Sequence, residues 1–113
     1  MKSIKINYIE LKSNDLAQTK SFYHNVFGWN FTDYGPTYCS FAGAGLDGGF
    51  ELTHKPITNG ALVVLYHNDL ESVIEKVKSA GGSIVKEIFE FPGGKRFHFA
   101  DPSGNELAVW SEP

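Results

Sequence analysis

Residues 10–31, ELKSNDLAQTKSFYHNVFGWNF, slide onto residues 64–85, VLYHNDLESVIEKVKSAGGSIV, with a shift of 54 positions. Leu11 falls on Leu65, Asn14-Asp15-Leu16 on Asn68-Asp69-Leu70, and Gly28 on Gly82. Identity is sparse, but the order of features is kept: apolar strand, Asn-Asp, amphipathic helix, glycine, apolar strand. Further along, GGFELT (48–53) is echoed by SGNELA (103–108) at a shift of 55. A period of this length means that one supersecondary unit is built twice. In a chain of 113 residues, two such units account for everything.

Each unit has the same grammar. In the first, residues 4–12 alternate as a strand. Asn14 or Asp15 can cap a helix, because a short side-chain oxygen accepts from free N–H groups of the first turn. Leu16, Thr19, Phe22, Tyr23 and Val26 form a helical stripe, Gly28 stops it, and strands follow at 29–34, 37–42 and 47–54. The second unit repeats this. A strand covers 61–67, a helix covers 69–80 with Leu70, Val73, Ile74 and Val77 on one face, and Gly81-Gly82 ends it. Strands then fall near 83–90, 95–100 and 105–111, with a Pro-Gly-Gly turn at 92–94. The expected fold is α+β: one domain over 1–113, made of βαβββ module one (1–55), a linker (56–60) and βαβββ module two (61–113). One helix covers one face of each sheet and leaves the other open.

Composition narrows the partners. Net charge is -3 and no run of like charges occurs, so nucleic acid and anionic membrane are not expected. The single cysteine, Cys39, permits no intrachain disulfide and no cysteine-based zinc site, and reads as core. The N-terminus has no signal-like apolar stretch and no segment reaches membrane-spanning length, so a cytoplasmic protein is expected.

Strand alternation assigns the open faces. In DPSGNELAVW (101–110), Leu107 and Val109 go to the helix side, while Glu106, Ala108 and Trp110 face away. The same partition sends Tyr8, Glu10 and Lys12, Tyr38 and Ser40, Glu51 and Thr53, Leu62, Val64 and Tyr66, and Arg96 and His98 to the open side. A one-residue slip would swap every one of them, and strand five, apolar on both faces, fixes its register least. Aromatic walls with a few carboxylates suit a planar or cationic organic molecule. The expected ligand-binding set is Tyr8, Glu10, Tyr38, Glu51, Tyr66, Arg96, His98, Glu106 and Trp110. A plainer reading has Lys12 and Arg96 neutralise the glutamates while the aromatics fill a contact. Of the other histidines, His24 reads as a helix residue, and His54 and His67 as solvated strand ends.

The Asp-Leu helix start with SFYHNVFGW, the GGFELT strand, NDLESVIEKVKSAGG and FHFADPSGNEL together resemble the glyoxalase/bleomycin-resistance/dioxygenase superfamily, also called vicinal oxygen chelate. The likeness spans the chain and is closest to small lactoylglutathione-lyase-related proteins. The resemblance implies that eight strands curl into a mixed sheet with a cleft, and that a homodimer is to be expected. In the family's enzymes, a divalent metal is held by residues from the first and fourth strands of each module. Carried over one at a time, those positions are Tyr8, Glu51, Leu62 and Ala108. Only Glu51 matches, and Leu62 and Ala108 offer no donor. No cofactor is therefore expected, though a divalent metal stays open. The family's drug-binding resistance proteins hold a cationic antibiotic without a metal. The leading expectation is accordingly metal-free binding of a planar or cationic small molecule. The alternative is a divergent lyase or isomerase related to lactoylglutathione lyase, with Glu51 and His98 as candidate catalytic residues.

Overall fold

The structure, a computed structural model, describes Ser3 and residues 5–113. Ten elements follow in the expected order: β1 (Tyr8–Ser13), α1 (Leu16–Phe27), β2 (Asn30–Asp33), β3 (Tyr38–Ala42), β4 (Asp47–Leu52), β5 (Val63–Tyr66), α2 (Leu70–Ser79), β6 (Ser83–Phe91), β7 (Gly94–Ala100) and β8 (Glu106–Ser111). This is the α+β, twice-βαβββ arrangement that the repeat predicts. The first strand begins later than expected, and Ile4, its expected start, lies outside the described residues.

The duplicated Asn-Asp-Leu works through its aspartate. Asp15 accepts from the Gln18 N–H at 3.1 Å and Asp69 from the Ser72 N–H at 3.2 Å, so each caps a first helical turn. Helix α1 ends on Gly28, left-handed at φ 76°, a conformation that costs glycine nothing. At the end of α2 the left-handed residue is Gly81, at φ 94°, one position before the glycine that the 54-residue shift pairs with Gly28.

The strands form two four-stranded sheets, β1-β4-β3-β2 and β5-β8-β7-β6. In each, the first and fourth strands of the module run parallel and the other neighbours antiparallel. The expected single eight-stranded sheet is thus not closed within one chain: β1 and β5, which would have to meet, are both edge strands.

The core lies between the sheets and around α1. Tyr23 stacks on Trp29 with ring centroids 4.9 Å apart and packs against Phe50 at 5.0 Å. On the same helix, Phe22 and Phe27 reach Phe99 of β7 at 6.0 and 5.7 Å. A helix of module one therefore packs on the sheet of module two. The inward residues read from alternation are on this side: Cys39, Phe41, Phe50, Phe97, Phe99, Leu107 and Val109 are buried, and Leu11, Val63 and Leu65 pack against them. Strand five therefore has the expected register. Among the described residues no helix is long and apolar enough to cross a membrane.

Candidate functional site

The two open faces differ in chemistry. On the module-one face, β1 presents Tyr8, Glu10 and Lys12, β3 presents Tyr38, and β4 presents Glu51. The Tyr8 and Tyr38 hydroxyls bond to each other. Burial, and then this bond, hold the Tyr38 phenol well above its ordinary pKa, so it stays protonated. Gly49 allows the arrangement, because a Cβ there would strike the Tyr38 hydroxyl. Lys12 donates to Glu51 and lies 3.4 Å from Glu10. The Glu51 contact raises the Lys12 pKa. All three groups of this cluster are close to half-exposed, so the cluster adds little stability. It does occupy both carboxylates.

The module-two face is more apolar. Tyr66 and Trp110 meet edge-to-face at 5.1 Å, and Phe91 approaches Trp110 at 6.4 Å. The Tyr66 hydroxyl donates to Glu112 at 2.5 Å, which raises the phenol pKa and lowers that of the carboxyl. Val64 and Tyr66 are 43% and 50% exposed. Val64, Phe91, Pro92, Gly93, Arg96 and Trp110 line a groove of about 410 Å³. Further along β7, His98 Nδ1 lies 2.8 Å from Glu106 Oε2. Ala108, cross-strand from His98, is fully buried.

The expected residues therefore gather as two sets. Tyr8, Glu10, Tyr38 and Glu51 belong to one sheet; Tyr66, Arg96, His98, Glu106 and Trp110 belong to the other. Glu51 does not join His98 and Glu106, because it sits in the other sheet and carries Lys12. The plainer reading of the charges holds for Lys12 alone. Arg96 instead has its guanidinium carbon 5.3 Å from the Phe89 ring and 5.5 Å from the Phe91 ring.

Lys86, Phe89 and Phe91 also stand at the module-two face, and strand alternation does not place them there. All three lie on β6, whose pairing with β7 shifts register between Ile84 and Lys86 and again between Lys86 and Phe89. A bulge adds a residue and breaks the period of two, so counting along IVKEIFEF cannot assign its faces. The available signal was Phe89 and Phe91 flanking Glu90, beyond a core-packed Ile88.

The four metal-ligand positions implied by the resemblance do not converge. In the parallel β1–β4 ladder Tyr8 lies opposite Asp47 and Glu51 opposite Lys12, which separates the two by roughly 13 Å along the strands. Leu62 and Ala108 bring only hydrocarbon. Among the described residues, no three of the His, Cys, Asp and Glu side chains are grouped to hold a metal ion. The residues present do not fit a divalent ion at these positions.

The sequence profile of the Glyoxalase/Bleomycin resistance protein/Dioxygenase superfamily matches residues 5–109. CFP32 of Mycobacterium bovis, provisionally named a glyoxylase, is 27% identical over 118 aligned positions, covering 92% of this chain and 44% of CFP32. The anthracycline biosynthesis protein DauV of Streptomyces sp. strain C5 is 30% identical over 127 positions, covering 91% of this chain and 45% of DauV. The chain thus spans less than half the length of these relatives. Two crystal structures share the fold at low identity. One is a glyoxalase/bleomycin resistance protein/dioxygenase family enzyme of Burkholderia phytofirmans PsJN (TM-score 0.82, 14% identity, 95% of this chain and 98% of that one). The other is the fosfomycin resistance protein FosX of Listeria monocytogenes (TM-score 0.82, 19% identity, 100% and 96%). With its duplicated βαβββ fold and this profile match, the chain belongs to the glyoxalase/bleomycin resistance protein/dioxygenase superfamily.

Proposed function

We propose that this protein binds a planar organic molecule on its open sheet faces without a metal, and that residues 1–55 and 61–113 act as the two modules of one domain. The groove between Val64, Phe91 and Trp110 carries this reading. Half-buried rings beside the exposed Val64 leave apolar surface in water, and a flat ligand would cover it. The planar half of the sequence expectation gains support, whereas the carboxylates that would anchor a cation already have partners: Lys12 for Glu10 and Glu51, His98 for Glu106. Titration with a panel of flat compounds is expected to quench or shift Trp110 fluorescence, and the change should vanish in Trp110→Leu. Silence across the panel would remove this function.

We infer also that the working unit is a homodimer. Edge strands β1 and β5 leave Ile9, Leu11, Val63 and Leu65 around an apolar cavity of about 500 Å³. The radius of gyration, 14.4 Å, exceeds the about 13 Å of a compact chain of this length. Light scattering is expected to give twice the 12.5 kDa chain mass; a monomer at micromolar concentration would refute it.

A lyase or isomerase is the second reading, favoured by one observation. Glu106 holds His98 by Nδ1, and His98 Nε2 is buried without a partner. Conversion of a bound compound, lost in His98→Gln, would favour it over binding alone.

A further inference from the structure

Arg96 is a cation of the module-two face whose partners are rings rather than a carboxylate. It stands on β7 opposite Phe89 of β6 and Trp110 of β8, with its guanidinium stacked toward Phe89 and Phe91. Among the described residues no carboxylate lies within salt-bridge distance of it, and its Nε is buried with no hydrogen-bond partner. Two residues along on the same face, the His98 side chain is about nine-tenths buried. Its Nε2 is likewise buried and unpartnered. Because the Glu106 carboxylate accepts from Nδ1–H, the neutral ring leaves Nε2 as a bare acceptor. Lys86 adds a third basic group, its Nζ 4.4 Å from the Phe89 ring. This face thus carries two cations and a histidine against two carboxylates that already have partners: Glu106, which His98 occupies, and Glu112, which takes the Tyr66 hydroxyl. The module-one face carries two carboxylates against one lysine.

A buried N–H of a cation with no acceptor costs more than an ordinary lost hydrogen bond. The guanidinium fork matches a carboxylate by charge and by paired hydrogen bonds. Its neighbours in the groove are the rings of Phe91 and Trp110, which receive a flat apolar body.

We propose that Arg96 and His98 form an acid-recognition subsite, and that the ligand is a planar carboxylic acid with a hydroxyl beside its carboxylate. The carboxylate pairs with Arg96, the hydroxyl donates to His98 Nε2, and the ring lies in the groove along Phe91 and Trp110. The proposal rests on the planar-ligand reading and adds the charge.

Calorimetric titration with naphthoate, naphthamide and naphthylmethylammonium, all substituted at the same ring carbon, tests it. Naphthoate is expected to bind roughly ten-fold tighter than the amide, with the ammonium compound weakest. In Arg96→Gln the preference for the acid over the amide is expected to fall to about two-fold or less. A hydroxyl placed next to the carboxylate is expected to tighten binding about three-fold in the wild type and not in His98→Gln. The acid-to-amide ratio of the unmodified protein needs no variant, so a poorly folding Arg96→Gln leaves the test intact. Equal binding of all three compounds, or tighter binding of the ammonium compound, would sink the acid subsite while the planar reading stands. No binding by any of them would sink both.

Discussion

Replacing Asp101 with alanine is expected to lower the melting temperature by about 12 °C, through a loss of about 3 kcal/mol. Asp101 is 4% exposed. Its Oδ1 accepts from the backbone N–H groups of Ser103 and Asn105 at 3.0 and 2.9 Å. Its Oδ2 accepts from the Tyr23 hydroxyl and from Asn105 Nδ2, both at 2.9 Å. Asn105 Nδ2 also donates to the Lys12 carbonyl at 2.7 Å, and Ser103 Oγ accepts from the Asn14 N–H at 3.0 Å. One carboxylate therefore ties the DPSGN turn of module two to α1 and β1 of module one. Its removal leaves the Tyr23 hydroxyl buried with no acceptor. A thermal melt within about 3 °C of wild type would show that the network is not limiting. Alkaline pH probes the same contact. Burial, with Asp101 adding to it, pushes the Tyr23 phenol well above its ordinary value. Below about pH 10 the phenol is protonated in both folded and unfolded chains, and the full stabilisation is present. Above that pH the unfolded chain gives up its proton first, so stability falls as pH rises. Tyr23→Phe is expected to lose about 1 kcal/mol at neutral pH and to show a shallower alkaline decline.

Much of this was legible in the chain because local chemistry and burial agree. Asp15 and Asp69 stand where a helix needs an acceptor, and both cap one. Strands β1, β3, β4, β7 and β8 pair with one another without a register shift, so the open-face positions of Tyr8, Tyr38, Glu51, Arg96 and Trp110 followed from their aliphatic neighbours. What stayed hidden depended on contacts between strands. That Glu51 is spent on Lys12 while Arg96 finds no carboxylate among the described residues is a matter of ladder register, which composition does not carry. The groove wall from β6 was invisible because two register shifts erase the alternation that would have revealed it. The four positions implied by the family resemblance could be located by counting. Whether Tyr8 and Glu51 meet could not, since the β1–β4 pairing sets that distance.

Truncating Phe99 to alanine is expected to be more damaging still, costing about 4 kcal/mol and about 17 °C of melting temperature. Phe99 is fully buried on β7 of module two, yet Phe22 and Phe27, which it meets, belong to α1 of module one. If the duplicated units folded separately, the loss would stay in module two. The packing says otherwise: α1 is a shared element, bound to the first sheet through Tyr23 and Phe50 and to the second through Phe99 and Asp101. The two tryptophans report on the two halves. Trp29 is 5% exposed in the module-one core, and Trp110 lies on the module-two face. In Phe99→Ala paired with Trp110→Phe or with Trp29→Phe, both fluorescence transitions are expected to drop together and share one midpoint. A Trp29 transition that stays at the wild-type temperature while the Trp110 transition falls would mean that the halves unfold independently. Shared packing also explains why the repeat is so faint in sequence. Once α1 serves both sheets, its residues face different neighbours from those of α2, and the same backbone plan is filled by Phe22, Tyr23 and Phe27 in one copy and by Val73, Ile74 and Val77 in the other.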